Sequence, residues 1–563
     1  MKNKLDYLYF LNKVKFLFGS LIIISLFLAI LLGLNTFLIK IVYDDILSTF
    51  NESLLIKISI IFFIIILLIS FLKIIKQIFL ENIKHKLLEN FRISLLEEFI
   101  NYQYKYFIKK NTGEITKRIV EDCELVSEGF IKICNGISNL LIVIIWLIIF
   151  ALIARWIFII YFFIAVFLIL WFLVWQNPIS KTSYKIGLKY SKLYKLLIEI
   201  IPGIKVIKYE LLQKYILNQL NKITKQMNSL FIKNTIFHNL LWSINAPLAW
   251  TANILILFFG IKELNKGNFT IGLLTVFLML IWQLLEPLFE ISSMMVCIEE
   301  QKSAYKRINE YRTGTPENEL GMIFNGIKKN IKFSNITFKY PESNFYLKNI
   351  NLNIKKGQSI AIIGKTGNGK TTIANLLLRL YHQESGKIFL DDIDISSFSI
   401  KSIRENIILV PQDIYLYTAT LRKNIDIKNQ LSDDEILFLL DKLCLTKLLK
   451  KLPDGLNTII TENGTNLSGG EKKRIGIIRA LAFKSNTYIF DEITANLDPN
   501  TVKYVIDYVY NLGPDITTIT ITHDLNILSK MDKIYLIKNN TIKEYKINNK
   551  GLLNNEVLNI YSK

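Results

Sequence analysis

Cysteine and histidine are scarce, with four of each in 563 residues. Cys123, Cys134, Cys297 and Cys444 show no C-x-x-C spacing and no histidine at metal-ligand intervals, so neither a zinc framework nor a disulfide scaffold is expected. They read as free thiols in a reducing compartment. Acids are also short, 47 against 68 lysines and arginines, for a formal charge of +21. The lysines are spread among isoleucines and asparagines rather than gathered in a run, so no nucleic-acid partner is expected. A compositional bias and the cytoplasmic lysine excess of a membrane protein account for them. There is no internal repeat, and no tryptophan follows Trp282. The first apolar run lies behind Lys2, Lys4, Lys13 and Lys15 but is long and has no small-residue cleavage site. It is a retained span rather than a signal peptide.

Hydrophobic residues, in contrast, make up 51% of the chain, with a mean hydropathy of +0.33. All seven tryptophans and all long apolar runs lie in the first 300 residues. Runs near 17 to 39, 55 to 79, 136 to 154, 156 to 176, 238 to 261 and 269 to 291 each reach the roughly 20 residues that cross a bilayer as helix. Six spans put both chain ends on one side. The segments at about 80 to 133 and 177 to 235 are long and lysine-rich, whereas the connections at Arg155 and Lys262 to Asn268 are short. By the positive-inside rule the long segments and both termini are cytoplasmic, giving two lengthy helical hairpins. Gly and Pro mark their tips near 111 to 122 and 199 to 210. The spans are expected within residues 1 to 310, followed by a linker over 311 to 330 and a second domain over 331 to 563. The second domain alternates short β-rich runs with helical ones, as an α/β domain with a largely parallel sheet does.

Gly364-Lys365-Thr366-Gly367-Asn368-Gly369-Lys370-Thr371 fits G-x-x-x-x-G-K-[ST] between an apolar strand and a helix. Its glycines let backbone amides close around nucleotide phosphates, Lys370 adds charge, and the Thr371 hydroxyl, beside Thr372, is placed for Mg²⁺. Tyr488 to Glu492 read as a strand ending in two acids. At the C-terminal edge of a parallel sheet, Asp491 is expected to orient the Mg²⁺ shell and Glu492 to polarise an attacking water. His523 ends another strand and is placed to reach a γ-phosphate. In Thr465 to Arg474, Ser468, Gly469 and Gly470 open a basic helix and make a second anion site.

In order and motif by motif, residues 331 to 531 resemble the nucleotide-binding domain of ABC transporters. Tyr340 matches the aromatic that stacks on adenine, and Gln412 the glutamine linking Mg²⁺ to the membrane domain. Leu467 to Glu471 match the signature, Ala495 to Asp498 the D-loop, His523 the switch histidine, and Glu462 an extra loop of exporters. More loosely, the first half resembles type IV half-transporters, the fold of multidrug exporters and lipid flippases, whose cytoplasmic hairpins end in coupling helices. The resemblance implies an α-helical six-span transmembrane domain with long cytoplasmic hairpins, fused to an α/β P-loop domain that binds ATP and Mg²⁺ and hydrolyses ATP. It also implies a dimer in which Ser468 and Gly470 grip the γ-phosphate held by the other copy. Homodimer is the natural reading and heterodimer the alternative. Glu471 stands where glutamine is usual and is expected to be tolerated.

The cargo is less legible. Gln283 and Glu286, in the sixth run with Glu290, are the expected lining of a pathway for an amphipathic or cationic substrate. The alternative is that they pair between helices. The first span begins so early that no peptidase domain is expected ahead of it. Export of a drug, a lipid or lipid-linked glycan, or a small peptide across the cytoplasmic membrane is the reading; import of a metal chelate, or regulation, on the same fold is the alternative.

Overall fold

The computed structural model describes residues 7–46, 52–108, 110, 112–317, 319–340, 345–461 and 464–546. They fall into two compact units, the first running to Pro316 without Gln103–Lys105, the second consisting of Gln103–Lys105 and the residues from Glu317 on. Glu462 lies outside the described residues.

The first unit is built from long helices: α1 (Tyr7–Ile41), α2 (Glu52–Ile100), α3 (Cys123–Ile153), α4 (Arg155–Ile200), α5 (Gln213–Ser243), α6 (Asn245–Asn265) and α7 (Ile271–Tyr311). Among the described residues six stretches are long and apolar enough to cross a membrane, in the order expected from sequence. The fifth joins α5 and α6, which meet at Ile244 just ahead of Pro247. α2 has 49 residues, about 74 Å at 1.5 Å per residue, more than twice a hydrocarbon core of roughly 30 Å. Only 6% of its apolar window is buried. Soluble proteins do not leave a surface of that extent open to water, so lipid is its natural solvent. Both hairpin tips are separate short helices, Thr112–Lys117 and Ile204–Tyr209, rather than plain turns in a continuous helix. The first runs into a π-helical turn, Arg118–Asp122. There the fully buried Asp122 accepts from Arg118 at 2.7 Å and from Arg307 on α7 at 2.6 Å, so neither guanidinium is left as an unpaired buried charge.

The second unit carries two main sheets and a short antiparallel ladder of β7 (Ala419–Thr420) and β8 (Ile459–Ile460). β1 (Asn330–Lys339), β2 (Tyr346–Lys355), β4 (Ser385–Leu390) and β5 (Ile393–Asp394) form an antiparallel sheet in the order β2-β1-β4-β5. Sequence reading had anticipated only a largely parallel core. The difference is visible in the residues: along β2, buried and exposed positions nearly alternate, as in a sheet with one solvated face. β3 (Ser359–Ile363), β6 (Ile408–Val410), β9 (Thr487–Asp491), β10 (Thr517–Ile521), β11 (Lys533–Lys538) and β12 (Thr541–Lys546) form the second sheet, ordered β12-β11-β3-β10-β9-β6. The four ladders from β6 to β11 are parallel, and β12 closes one edge antiparallel. β9 and β10 are buried at every residue, as strands covered on both faces must be.

Candidate nucleotide site

The strand order explains how distant motifs converge. β3, β10, β9 and β6 are consecutive neighbours and parallel, so their C-terminal ends share one edge. The 364 to 371 loop leaves β3, His523 follows β10, Glu492 follows β9, and Gln412 follows β6. Four segments spread over about 160 positions therefore face one cleft. A cavity of about 580 Å³ is lined by Tyr340, Phe345, Thr366, Gly367 and Gly369 to one side. Lys370, Thr371, Thr372, Gln412, Glu492 and His523 complete it.

Gly367 and Gly369 have φ of +86° and +88°, a region that costs L residues but not glycine. The second is also the N-cap of α8 (Lys370–Leu377), so the loop turns directly into a helix whose free amides face the cavity. Lys370 is buried and its ammonium donates to the carbonyls of Gly364 and Lys365 at 2.9 and 3.3 Å. Burial pushes its pKa down, opposed by the fields of Glu492 and Asp491. Asn368 anchors the loop through a 3.0 Å bond to the Ile537 carbonyl.

Asp491 sits behind the cavity wall, buried, and accepts from the Thr371 hydroxyl at 2.8 Å. Burial pushes its carboxyl above the ordinary range; the Thr371 bond pulls it back. Glu492 accepts from the Gln412 amide at 2.8 Å and lies 3.4 Å from His523 Nδ1. Its φ of +50° is unusual for a non-glycine residue, and such strain persists where surroundings over-determine it. One of those surroundings is a 2.8 Å bond from its own amide to the Ile521 carbonyl on β10. The Tyr340 hydroxyl shares a hydrogen bond with Thr372 at 3.0 Å, and its ring packs edge-on against Phe338 and Tyr381.

Two residues escaped sequence reading. Phe345 lines the cavity beside Tyr340; an aromatic five positions beyond another was the only cue. Lys473 is buried and its ammonium donates to the Gln412 carbonyl, holding that loop against α9 (Gly469–Ala482). It was hidden in a run of basic residues that reads as a solvated helix face.

Ser468, Gly469 and Gly470 are not brought to the cavity. Ser468 caps α9, its hydroxyl accepting from the Glu471 amide at 3.2 Å while the Glu471 carboxylate accepts from the Ser468 amide at 2.7 Å. Ser468 and Gly469 are exposed. Gly470 lies close to the Asn496 carbonyl, where an added Cβ would approach to 3.0 Å, and Asp498 caps the next helix, α10 (Pro499–Val509).

In the membrane unit, Gln283 and Glu286 do line one cavity, of about 250 Å³. Gln283 pairs with Thr36 of α1 at 3.1 Å, and Glu290 accepts from Asn135 of α3 at 3.1 Å. Lys73 and Lys76 of α2 line it as well; sequence reading passed over them because they sit at the end of the second apolar run.

A family model described as ABC transporter matches residues 347–495, and one described as ABC transporter transmembrane region matches residues 20–288. The mitochondrial iron-sulfur clusters transporter ATM1 of Debaryomyces hansenii is 34% identical over 298 residues, 51% of this chain and 43% of that protein. This chain's match thus spans less than half of that relative's length. The ATP-dependent lipid A-core flippase of Wigglesworthia glossinidia brevipalpis is 29% identical over 460 residues, 79% and 78% of the two chains. A solved structure of a bacterial Atm1-family ABC exporter with ATP bound superposes with a TM-score of 0.86 at 19% identity, covering 99% of each chain. With the transmembrane region and the nucleotide-binding domain both matched in the expected order, the chain belongs to the ABC transporters and has the fold of their exporters.

Proposed function

We propose that this chain is one half of an ATP-driven exporter in the cytoplasmic membrane, its nucleotide-binding unit cytoplasmic, moving an amphipathic or hydrophobic substrate by alternating access. The observation that carries the reading is the division of the phosphate-binding groups. Lys370, Thr371, Gln412, Glu492 and His523 share one cavity, whereas the Ser468 to Gly470 helix start of the same chain lies outside it. A second copy supplies the missing half, and a homodimer has two competent sites.

The catalytic roles follow from position. Backbone amides of residues 366 to 371 and the Lys370 ammonium bind the phosphates, and Tyr340 with Phe345 offers aromatic faces to the base. Glu492, buffered by Gln412 and His523, accepts a proton from the attacking water. The Thr371 hydroxyl, Asp491 carboxylate and Gln412 amide form an oxygen-donor set that fits Mg²⁺. The ion would neutralise charge on the phosphate oxygens. Ser468 and Gly470 of the other copy grip the γ-phosphate, so ATP joins the two units and draws the hairpins together. The tips Thr112–Lys117 and Ile204–Tyr209 act as coupling helices.

Two relatives named for different cargoes leave the substrate to this chain's own cavity. Transport direction is tested in inside-out vesicles: ATP-dependent accumulation of an amphipathic fluorophore is expected, and depletion from preloaded vesicles would instead support an importer.

A further inference from the structure

The cavity beside Gln283 carries charges of both signs. α2 contributes Lys73 and Lys76, three positions apart and therefore on one helix face. α7 contributes Glu286 and Glu290. The Glu290 and Glu286 carboxylates are near enough to act on Lys76 electrostatically. Yet among the described residues Lys73, Lys76 and Glu286 make no direct hydrogen bond or ion pair. Ser25 of α1 lines the same cavity, is 1% exposed, and its hydroxyl has no hydrogen-bond partner among the described residues. The side-chain carbonyl of Asn135 is likewise unpartnered. Ionisable groups in a membrane are costly unless paired or serving a ligand, and unsatisfied buried polar atoms add to that cost.

A second cavity of about 530 Å³ adjoins the first, sharing Ala29 and Trp146 with it. Its other walls are aliphatic and aromatic, among them Ile149, Phe150, Val276 and Phe277. The Trp146 ring packs so near Gly33 that an added Cβ there would approach it to 2.9 Å, which fixes the ring between the charged cavity and the apolar one. Together the two fall within the roughly 300–1,000 Å³ of small-molecule sites, which combine apolar walls with a few placed polar groups.

We propose that these cavities form one bipartite cargo site for a zwitterionic amphiphile, whose head bears both an ammonium and a phosphate or carboxylate, with its apolar chain beyond Trp146. The anionic group lies against Lys73 and Lys76, the ammonium against Glu286, and Ser25 and Asn135 bond to the head. A cationic amphiphile leaves the lysines without a direct partner, an anionic one leaves Glu286 so, and a neutral one leaves both. This rests on the exporter reading and narrows its cargo.

The test uses the full chain in nanodiscs and follows stimulation of ATP hydrolysis by single-chain amphiphiles, with the head varied at one chain length and the chain length then varied on the zwitterionic head. Their heads are phosphoethanolamine, phosphate, ammonium and neutral glycerol. The zwitterion is expected to stimulate at the lowest concentration. Lys76→Gln and Glu286→Gln should each raise that concentration about tenfold, the size of a lost charge-assisted contact. Exchanging the pair, Lys76→Glu with Glu286→Lys, should restore most of the preference. Val276→Trp should abolish the gain from longer chains. Thermal unfolding checks that each variant is folded, and the wild-type ranking of heads needs no variant at all. Equal potency of the neutral and zwitterionic heads, preference for a purely cationic or anionic head, or an effect of Val276→Trp on dimer assembly rather than chain length overturns the proposal. A wild-type protein that hydrolyses no ATP overturns the exporter reading; one that hydrolyses ATP but ranks the heads equally overturns only the bipartite site.

Discussion

The nucleotide cleft and the membrane cavity hold similar groups, lysines, carboxylates and side-chain amides, in opposite conditions. In the cleft each is pinned: Lys370 to two loop carbonyls, Asp491 to Thr371, Glu492 to Gln412. All hang from the ends of buried parallel strands. In the membrane cavity Lys73 and Lys76 project from one helix and Glu286 from another, without a direct partner among the described residues. A site for one unvarying ligand is pre-organised by its scaffold, so that reorganisation is avoided at the moment of reaction. A site that must release its ligand on the other side of a membrane is completed by the ligand instead.

If the cleft is pre-organised for chemistry, removing one proton acceptor should be severe and local. Glu492→Gln keeps the side-chain shape but not its basicity, so hydrolysis should fall about 10³-fold while ATP stays bound. Single-turnover hydrolysis and retained labelled nucleotide measure both, and wild-type turnover would remove Glu492 from its role. Ser468→Arg is the corresponding break between copies. It places a bulky cation at a helix start that is exposed in the single chain, so ATP binding by the 364 to 371 loop should be nearly unchanged. Steady-state hydrolysis should drop about 10²-fold because the closed pair cannot form. Should binding and hydrolysis fall together, the signature is acting within one chain. Lys370→Ala removes a buried cation from the phosphates and should weaken nucleotide binding about 10- to 100-fold, one or two charge-assisted bonds, in an equilibrium assay with labelled ATP. Loss confined to hydrolysis, with binding intact, would count against its binding role.

The same contrast explains what was legible in the sequence. The phosphate loop is eight contiguous residues whose three glycines all take positive φ, so chemistry and local geometry coincide in one string. Glu492, His523 and Gln412 were legible because strand ends on one parallel edge must face the same ligand. Phe345 and Lys473 were not, since their roles come from tertiary packing: Phe345 precedes β2 in the antiparallel sheet, and Lys473 lies within α9. The antiparallel sheet was missed because alternation in a single strand says little about its partners. In the membrane unit, length and hydropathy marked the spans, but four helices each give the cavity only a few side chains spread over two or three turns. Lys73 and Lys76 had a signal, two lysines three apart within a span, that the cytoplasmic lysine excess masked.

Pre-organisation has a stability cost that pH can expose. Asp491 is buried and its carboxyl is raised above the ordinary range, so the folded chain binds more protons than the unfolded one in that interval. By linkage, stability then falls as pH rises from the ordinary carboxyl value, about 3.9, through the raised folded value. Asp491→Asn keeps the acceptor for Thr371 and removes the charge. Without nucleotide it should be more stable than wild type at neutral pH by on the order of 1 kcal/mol, and the excess should vanish below the ordinary carboxyl range. Mg²⁺ should no longer add to the stabilisation given by ATP. Thermal unfolding across pH reads all of this, and a variant less stable than wild type at neutral pH contradicts it.

The smallest effect concerns the one departure in the signature. Glu471 and Ser468 form a reciprocal capping box, in which a glutamine carbonyl can replace the carboxylate without moving the backbone. The box occupies the Ser468 hydroxyl as an acceptor and leaves its single proton to donate to a phosphate. What differs between Glu and Gln is a negative charge at a helix start. It favours the helix dipole by roughly 0.3–1 kcal/mol but opposes an incoming phosphate at the same place. Glu471→Gln should therefore slightly destabilise α9 and yet lower the ATP concentration for half-maximal hydrolysis about twofold at low salt. The gain should fade near 1 M salt, where the screening length is about 3 Å. A shift that salt does not change would mean that Glu471 acts through the shape of the cap and not through its charge.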